Sequence, residues 1–251
     1  MTALSNYAEN KAIEHLTGTT TWTKPTNTYV QLHTASPGED CTTAVAATTT
    51  RQQASWAAAA SRAIATNAAL NWTIASNETI SHFSIWDAST AGNPIAYGAF
   101  SASVVEQTND TFTVASGGLT LDFTTITSAI STYAANALLE HMTGKTSWTK
   151  PTTVYVQLHT GAPGLAGTSN VAATSTRTTS GGFGAGSNGT VLNSANIDFT
   201  AAANETITHF SLFDASTAGN NLWGDAVTAS KAILTGQTVR FGAGVLSLTL
   251  A

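Results

Sequence analysis

The chain has 251 residues, 42% of them hydrophobic and only 9% charged, with a formal net charge of −5. Lys and Arg are scattered, so there is no basic stripe to follow a phosphate backbone, which excludes nucleic acid and an anionic membrane surface as expected partners. Thr, Ser and Asn carry the polar share, as on a β-rich surface.

The first predicted element is a helix. Ser5 is a candidate N-cap, Leu4, Tyr7, Ala8, Ala12 and Leu16 share one stripe, and Gly18 can end the helix in a left-handed conformation. The opening "MTALSNYAENKAIEH" has neither the basic start nor the apolar stretch of a secretory signal, and no apolar run is long enough to cross a bilayer, so folding in a cytoplasm is expected. After "TWTKPT" the period becomes two: Tyr29, Gln31 and His33 point to one face, Val30 and Leu32 to the other, as in a strand. "ISHFSIWDA" alternates likewise. "DASTAGN" then supplies an Asx-type Asp and Gly92 for a hairpin into "PIAYGAFS". "DTFTVASGGLTLDF" reads as two more strands around a Gly-rich turn.

From residue 131 the line starts again. Residues 5–38 match residues 131–164 at 22 of 34 positions without a gap, and "NETISHFSIWDASTAGN" returns as "NETITHFSLFDASTAGN" with the offset grown from 126 to 127, so the chain is a tandem duplication. Two units of this length are too few and too long for a solenoid. The expected fold is mainly β: two tandem antiparallel β-sandwich domains, residues 1–125 and 126–251, each with an N-terminal helix and six or seven short strands. The boundary is expected in "TTITS", residues 124–128.

Chemistry-bearing residues are sparse. The six histidines, His15, His33, His82, His141, His159 and His209, form three aligned pairs, yet none stands in HxH or HxxxH spacing, so no metal site is assigned. His82, Ser84 and Asp87 have the residue types of a hydrolytic triad, but without a GxSxG elbow, and Asp87 points away from the other two on an ideal strand. No catalytic residue and no cofactor are therefore assigned. "GAGSNG", residues 184–189, spells GxGxxG but lacks the strand before and the helix after that aim amides at a pyrophosphate, and is read as a flexible loop. Glu14 is read as solvating a helix end. Cys41 has no partner in the chain and is read as a small neutral side chain. Trp22 and Trp148 recur in "TWTKPT" and "SWTKPT" beside a Lys. A buried anchor clamping helix to sheet is the structural reading, and a glycan or partner contact the functional one.

With these residues in view, both halves resemble a phage-encoded family described as tail fibre-like or minor tail proteins of long-tailed phages. Its unit runs through "LSxYxENxxLxH", "PxxxYVxLHTxxP", an Arg-Gln segment, "VTHFGIFDAxxGGNxLxYG" and "GDTFxFxAGxLxLTL". Here these stand as "LSNYAENKAIEH", "KPTNTYVQLHTASP", "TTTRQQASW", "ISHFSIWDASTAGNPIAYG" and "NDTFTVASGGLTLDF", with "VYVQLHTGAP" and "THFSLFDASTAGNNLWG" in the second half. The doubled unit and the absent Arg-Gln pair after Arg177 depart from the pattern. The resemblance implies a virion component synthesised in the host cytoplasm, tail-associated or capsid-decorating, bound to other virion proteins. It brings no catalytic residues. Three copies of a doubled unit would present six similar domains, so a homo-oligomer, a trimer on a pseudo-sixfold feature, is expected. Host-surface carbohydrate binding is the alternative.

Overall fold

The computed structural model describes residues 2–126 and 129–250. Repeat 1 comprises β1 (Thr2–Leu4), α1 (Asn6–Leu16), β2 (Thr28–His33), β3 (Gln52–Ala54), β4 (Ala63–Ala65), β5 (Leu70–Thr73), β6 (Glu78–Trp86), β7 (Pro94–Glu106), β8 (Thr111–Val114) and β9 (Thr120–Asp122). A helical turn, α2 (Phe123–Ile126), leads toward repeat 2. The boundary expected at 124–128 ends in residues 127 and 128, which lie outside the described residues. Repeat 2 comprises α3 (Thr132–Met142), β10 (Tyr155–His159), β11 (Thr178–Thr179), β12 (Thr190–Leu192), β13 (Ile197–Thr200), β14 (Glu205–Phe213), β15 (Asn221–Ile233), β16 (Thr238–Phe241) and β17 (Ser247–Thr249).

The helix signals act as expected. The Ser5 hydroxyl accepts from Ala8 N at 3.1 Å and Ser131 from Ala134 N at 3.0 Å, each satisfying an orphan amide of the first turn. Gly18 and Gly144 follow the C-caps with φ of +75° and +80°. The apolar stripes, Ala8, Ala12, Ile13 and Leu16 on α1 and Ala134, Leu138 and Met142 on α3, are fully buried.

The fold is mainly β and antiparallel throughout. Repeat 1 has a main sheet in the order β1-β7-β6-β2-β3, and repeat 2 has β11-β10-β14-β15, with an isolated Ile130–Trp223 bridge where β1 would pair. Two short ladders per repeat accompany it: β5-β8 and β4-β9, then β13-β16 and β12-β17. More strands form than periodicity predicted, because three-residue ladders are too short to show a period. In repeat 1, aromatic contacts join sheet to ladder: Phe83 to Phe100 at 5.2 Å, Phe100 to Phe112 at 5.3 Å, and Phe112 to Trp72 at 6.0 Å. Buried side chains of this size contribute roughly 1.5–3 kcal/mol each.

The other face of each main sheet is covered by the long loop after β2 or β10. Arg51 lies 3.7 Å over the Trp86 ring and donates to Gln31 Oε1, Ala88 O and Ala91 O; Arg177 lies 3.3 Å over Phe213 with the equivalent partners. The stacked guanidinium ties the loop to the hairpin after β6 or β14. Within that hairpin Gly92 takes φ of +74° as expected, but Asp87 accepts from Asn93 N at 2.7 Å, six residues on and so across the whole loop instead of the two residues of an Asx turn. The loop also receives the Glu78 carboxylate, which accepts from the amides of Ala47 and Thr48.

The core does not stop at the repeat boundary. Buried apolar residues of both repeats form one continuous cluster. Helix α1 packs against its own β7 and also against α3 and β12, while α3 packs against β15, α1 and β4.

Candidate functional site: the seam between the repeats

The duplicated line "EHxTGxTxWTKP" meets its own copy along this seam. Nε2 of His15 donates to Trp148 O at 2.9 Å, and Nε2 of His141 donates to Trp22 O at 2.8 Å. Each Nδ1 accepts a main-chain amide of its own repeat, Trp22 N for His15 and Trp148 N for His141, both at 3.0 Å. Both nitrogens are thus committed, and each ring is neutral with its proton on Nε2. The two rings lie 4.6 Å apart. Burial is the main force holding the His15 pKa down, to about 4, helped by the nearby His141 and Lys150; His141 is lowered by burial as well.

Around this pair most contacts are reciprocal, the Thr28 Oγ1 to Thr143 O bond at 3.5 Å being one without a counterpart. Lys150 Nζ donates to Gly18 O at 2.6 Å and Lys24 Nζ to Gly144 O at 2.5 Å, so each repeat's Lys caps the C-terminus of the other's helix, where the helix dipole is negative. Gly186 N donates to Glu14 Oε1 at 2.8 Å, and Ala59 N to Glu140 Oε1 at 3.0 Å. Gly189 N donates to Asn10 Oδ1 and Arg62 N to Asn136 Oδ1, both at 2.9 Å. Thr19 Oγ1 donates to Phe183 O and Lys145 Nζ to Trp56 O, both at 3.2 Å. These are ten bonds in five pseudo-twofold pairs, the pattern of an isologous dimer interface contained within one chain.

Two sequence readings are corrected here. "GAGSNG" is a tight hairpin rather than a flexible loop: Ser187 bridges Thr190, and Asn188 and Gly189 take φ of +46° and +68°. The Asn-Gly dipeptide was the available signal, since both centre positions of such a turn need positive φ. The amides of Gly186 and Gly189 do meet polar oxygens, but on α1 of the other repeat. Repeat 1 makes the same turn with Ser61 and Arg62 at φ of +50° and +69°. Glu14, read as solvating a helix end, is instead 8% exposed and receives the hairpin amide of Gly186.

Trp22 is 4% exposed, with its ring edge-on to Tyr7 at 6.2 Å and 5.9 Å from His141. Trp148 is half-buried, 6.2 Å from Tyr133 and 5.4 Å from His15. Both rings therefore link their own repeat's helix to the other repeat. A surface cleft of about 420 Å³ runs over Tyr7, Lys11, Trp22 and Asp87.

The remaining candidates do not converge. The ring of His82 bonds Ser81 Oγ, and Asp87 bonds Asn93. Ser84 instead donates to Nε2 of His33 at 2.7 Å, while Nδ1 of His33 donates to Thr43 O; the same arrangement recurs at Ser211 and His159. These serines and their histidine partners are wholly buried and pin sheet to loop. Among the described residues no three metal-ligating side chains come together, and no helix is long and apolar enough to cross a membrane. Cys41 is buried, and burial pushes its thiol up to about 12, so it stays protonated.

A family model described as "Podophage GP4 fiber I protein gp80" matches the chain twice, over residues 3–122 and 129–249. No curated protein matches it. The description concerns a podophage fibre and carries nothing for the long-tailed class implied by the sequence resemblance.

Proposed function

Since the chain belongs to the phage fibre family described as podophage GP4 fiber I protein gp80, in two tandem copies, we propose that it is a non-enzymatic structural part of the phage particle acting through protein–protein contacts. It is tail-associated or capsid-decorating, is made in the host cytoplasm, and assembles as a homo-oligomer, a trimer being the state that sets six repeats around one axis.

The observation that carries this reading is the seam. Residues repeated in both halves serve an interface between the two repeats, with both helix ends, His15, His141 and the two lysines committed to the other repeat. A unit that binds its own copy through a reciprocal surface is built for contact between like units, which supports a role in an assembly. Gold-tagged antibody against the protein, imaged on intact phage, tests it. Gold on the tail supports a fibre part and gold on the head a decorating layer; particles free of label overturn the proposal.

The cleft over Tyr7, Lys11, Trp22 and Asp87 favours a second reading, host-surface carbohydrate binding, because it sets an aromatic wall beside groups that can bond hydroxyls. Glycan-array binding that is lost in Tyr7→Ala would support it, and a blank array would remove it.

A further inference from the structure

On the loop-covered face of the main sheet, one difference between the two repeats is a tyrosine in repeat 1 against a glycine in repeat 2. Tyr97 on β7 stands opposite Ser84, and Gly224 on β15 stands opposite Ser211, so the strand register makes them equivalents. In repeat 1 the half-buried phenol sits within the fields of Glu39 and Glu9 and near the neutral Cys41 thiol. The corresponding residues of repeat 2 are Leu165, Gly167 and Ala135, which are uncharged.

Where repeat 1 has the tyrosine, repeat 2 has an open cleft of about 450 Å³, walled by Pro163, Leu165, Gly224 and Ala226, with Asp225, His209 and, from repeat 1, Arg62 also lining it. Leu165 is 42% exposed at its margin. The two charged groups are of opposite sign, so the cleft favours neither an anion nor a cation; apolar walls with a nearby carboxylate suit a neutral ring bearing one hydroxyl. Repeat 2 cannot easily supply that ring from Gly224, because a Cβ there would stand 2.7 Å from Pro163 Cγ.

We propose that this cleft receives a tyrosine side chain from a neighbouring protein chain of the particle, in the place that Tyr97 fills in repeat 1. The proposal rests on the reading of the chain as a particle component that works by protein contacts.

The full-length protein, methyl-labelled for NMR, would be titrated with N-acetyltyrosinamide and, in parallel, N-acetylleucinamide. The tyrosine probe is expected to give saturable shifts at the methyls of Leu165 and Ala226, at least about ten-fold tighter than the leucine probe. Tyr97→Gly should create a second responding site beside Ala99. Gly224→Tyr should abolish the response; Ala226→Trp, at an exposed position that does not require Pro163 to move, should abolish it too. Equal response to both probes, no saturable shift at Leu165, or an undiminished response in Ala226→Trp would overturn the proposal. Phage carrying Ala226→Trp should load at least about ten-fold less of the protein, whereas normal loading despite lost probe binding would point to a free aromatic compound as the occupant and reject the protein partner. Gold labelling of unmodified particles is read independently of all these outcomes, so failure of the cleft and failure of the virion reading are separable.

Discussion

Replacing Gly18 by Ala would do two separable things. Gly18 has φ of +75°, and a Cβ there would stand 2.5 Å from Pro151 O, a main-chain atom of the other repeat held at the seam. Gly117 supplies the control: its φ is +78°, but a Cβ would meet nothing within 4 Å. The left-handed conformation alone costs an Ala about 1–2 kcal/mol. Driving a side chain into a packed neighbour adds about 1–3 kcal/mol, and here the obstacle is backbone that has no rotamer to escape into. Gly117→Ala is therefore expected to lose about 1–2 kcal/mol and Gly18→Ala about 2–5 kcal/mol. For a chain of this length the difference would appear as a further fall in Tm of roughly 2–12 °C. Urea and thermal unfolding of both variants would measure it. Equal losses in the two variants would refute the inference that the repeats are held in close register at the "TG" and "KP" segments. Gly144, whose Cβ would stand 2.8 Å from Pro25 O, should behave like Gly18 because the seam is reciprocal.

The seam should also respond to acid. His15 has a folded-state pKa of about 4, below its ordinary 6.5, so between those values the unfolded chain binds the extra proton; stability is full above about pH 6.5 and falls by about 3 kcal/mol as the pH drops toward 4. His141, His33 and His159 are lowered by burial as well and act in the same direction, so His15→Gln should flatten the pH profile of the urea midpoint without abolishing its slope; an unchanged slope would count against the neutral pair. Glu14→Ala leaves the Gly186 amide without its acceptor at a cost of about 1–3 kcal/mol, and hydrogen exchange should quicken at that amide first. Arg177→Lys keeps the charge but loses the planar stack on Phe213 and the fork to Gln157 and Ala215, so the hairpin at residues 214–220 should become more sensitive to protease while the seam amides keep their protection.

Much of each repeat was legible in the sequence because its determinants are local. The Ser5 cap reaches three residues, the Asp87 turn six, and the alternation of β2 depends on neighbours two apart. The duplication was equally plain, since matching lines require no structure to see. What the duplicated line does was hidden. Glu14 and Gly186 are 172 residues apart and Lys150 and Gly18 are 132 apart, and no spacing along the chain announces such a pairing. Each side chain taken alone also had an ordinary local role available: a helix-end acid, a loop glycine, a surface lysine beside proline.

The sequence by itself determined the antiparallel β-rich class, the helices with their caps, and the presence of two copies of one unit. Only the tertiary structure decided that the two copies bind each other through a segment they share, and that one copy keeps a tyrosine where the other has an open cleft. The physical reason is that caps, turns and pleats are satisfied within a few residues, whereas an isologous interface is satisfied only when the second copy lies in place against the first.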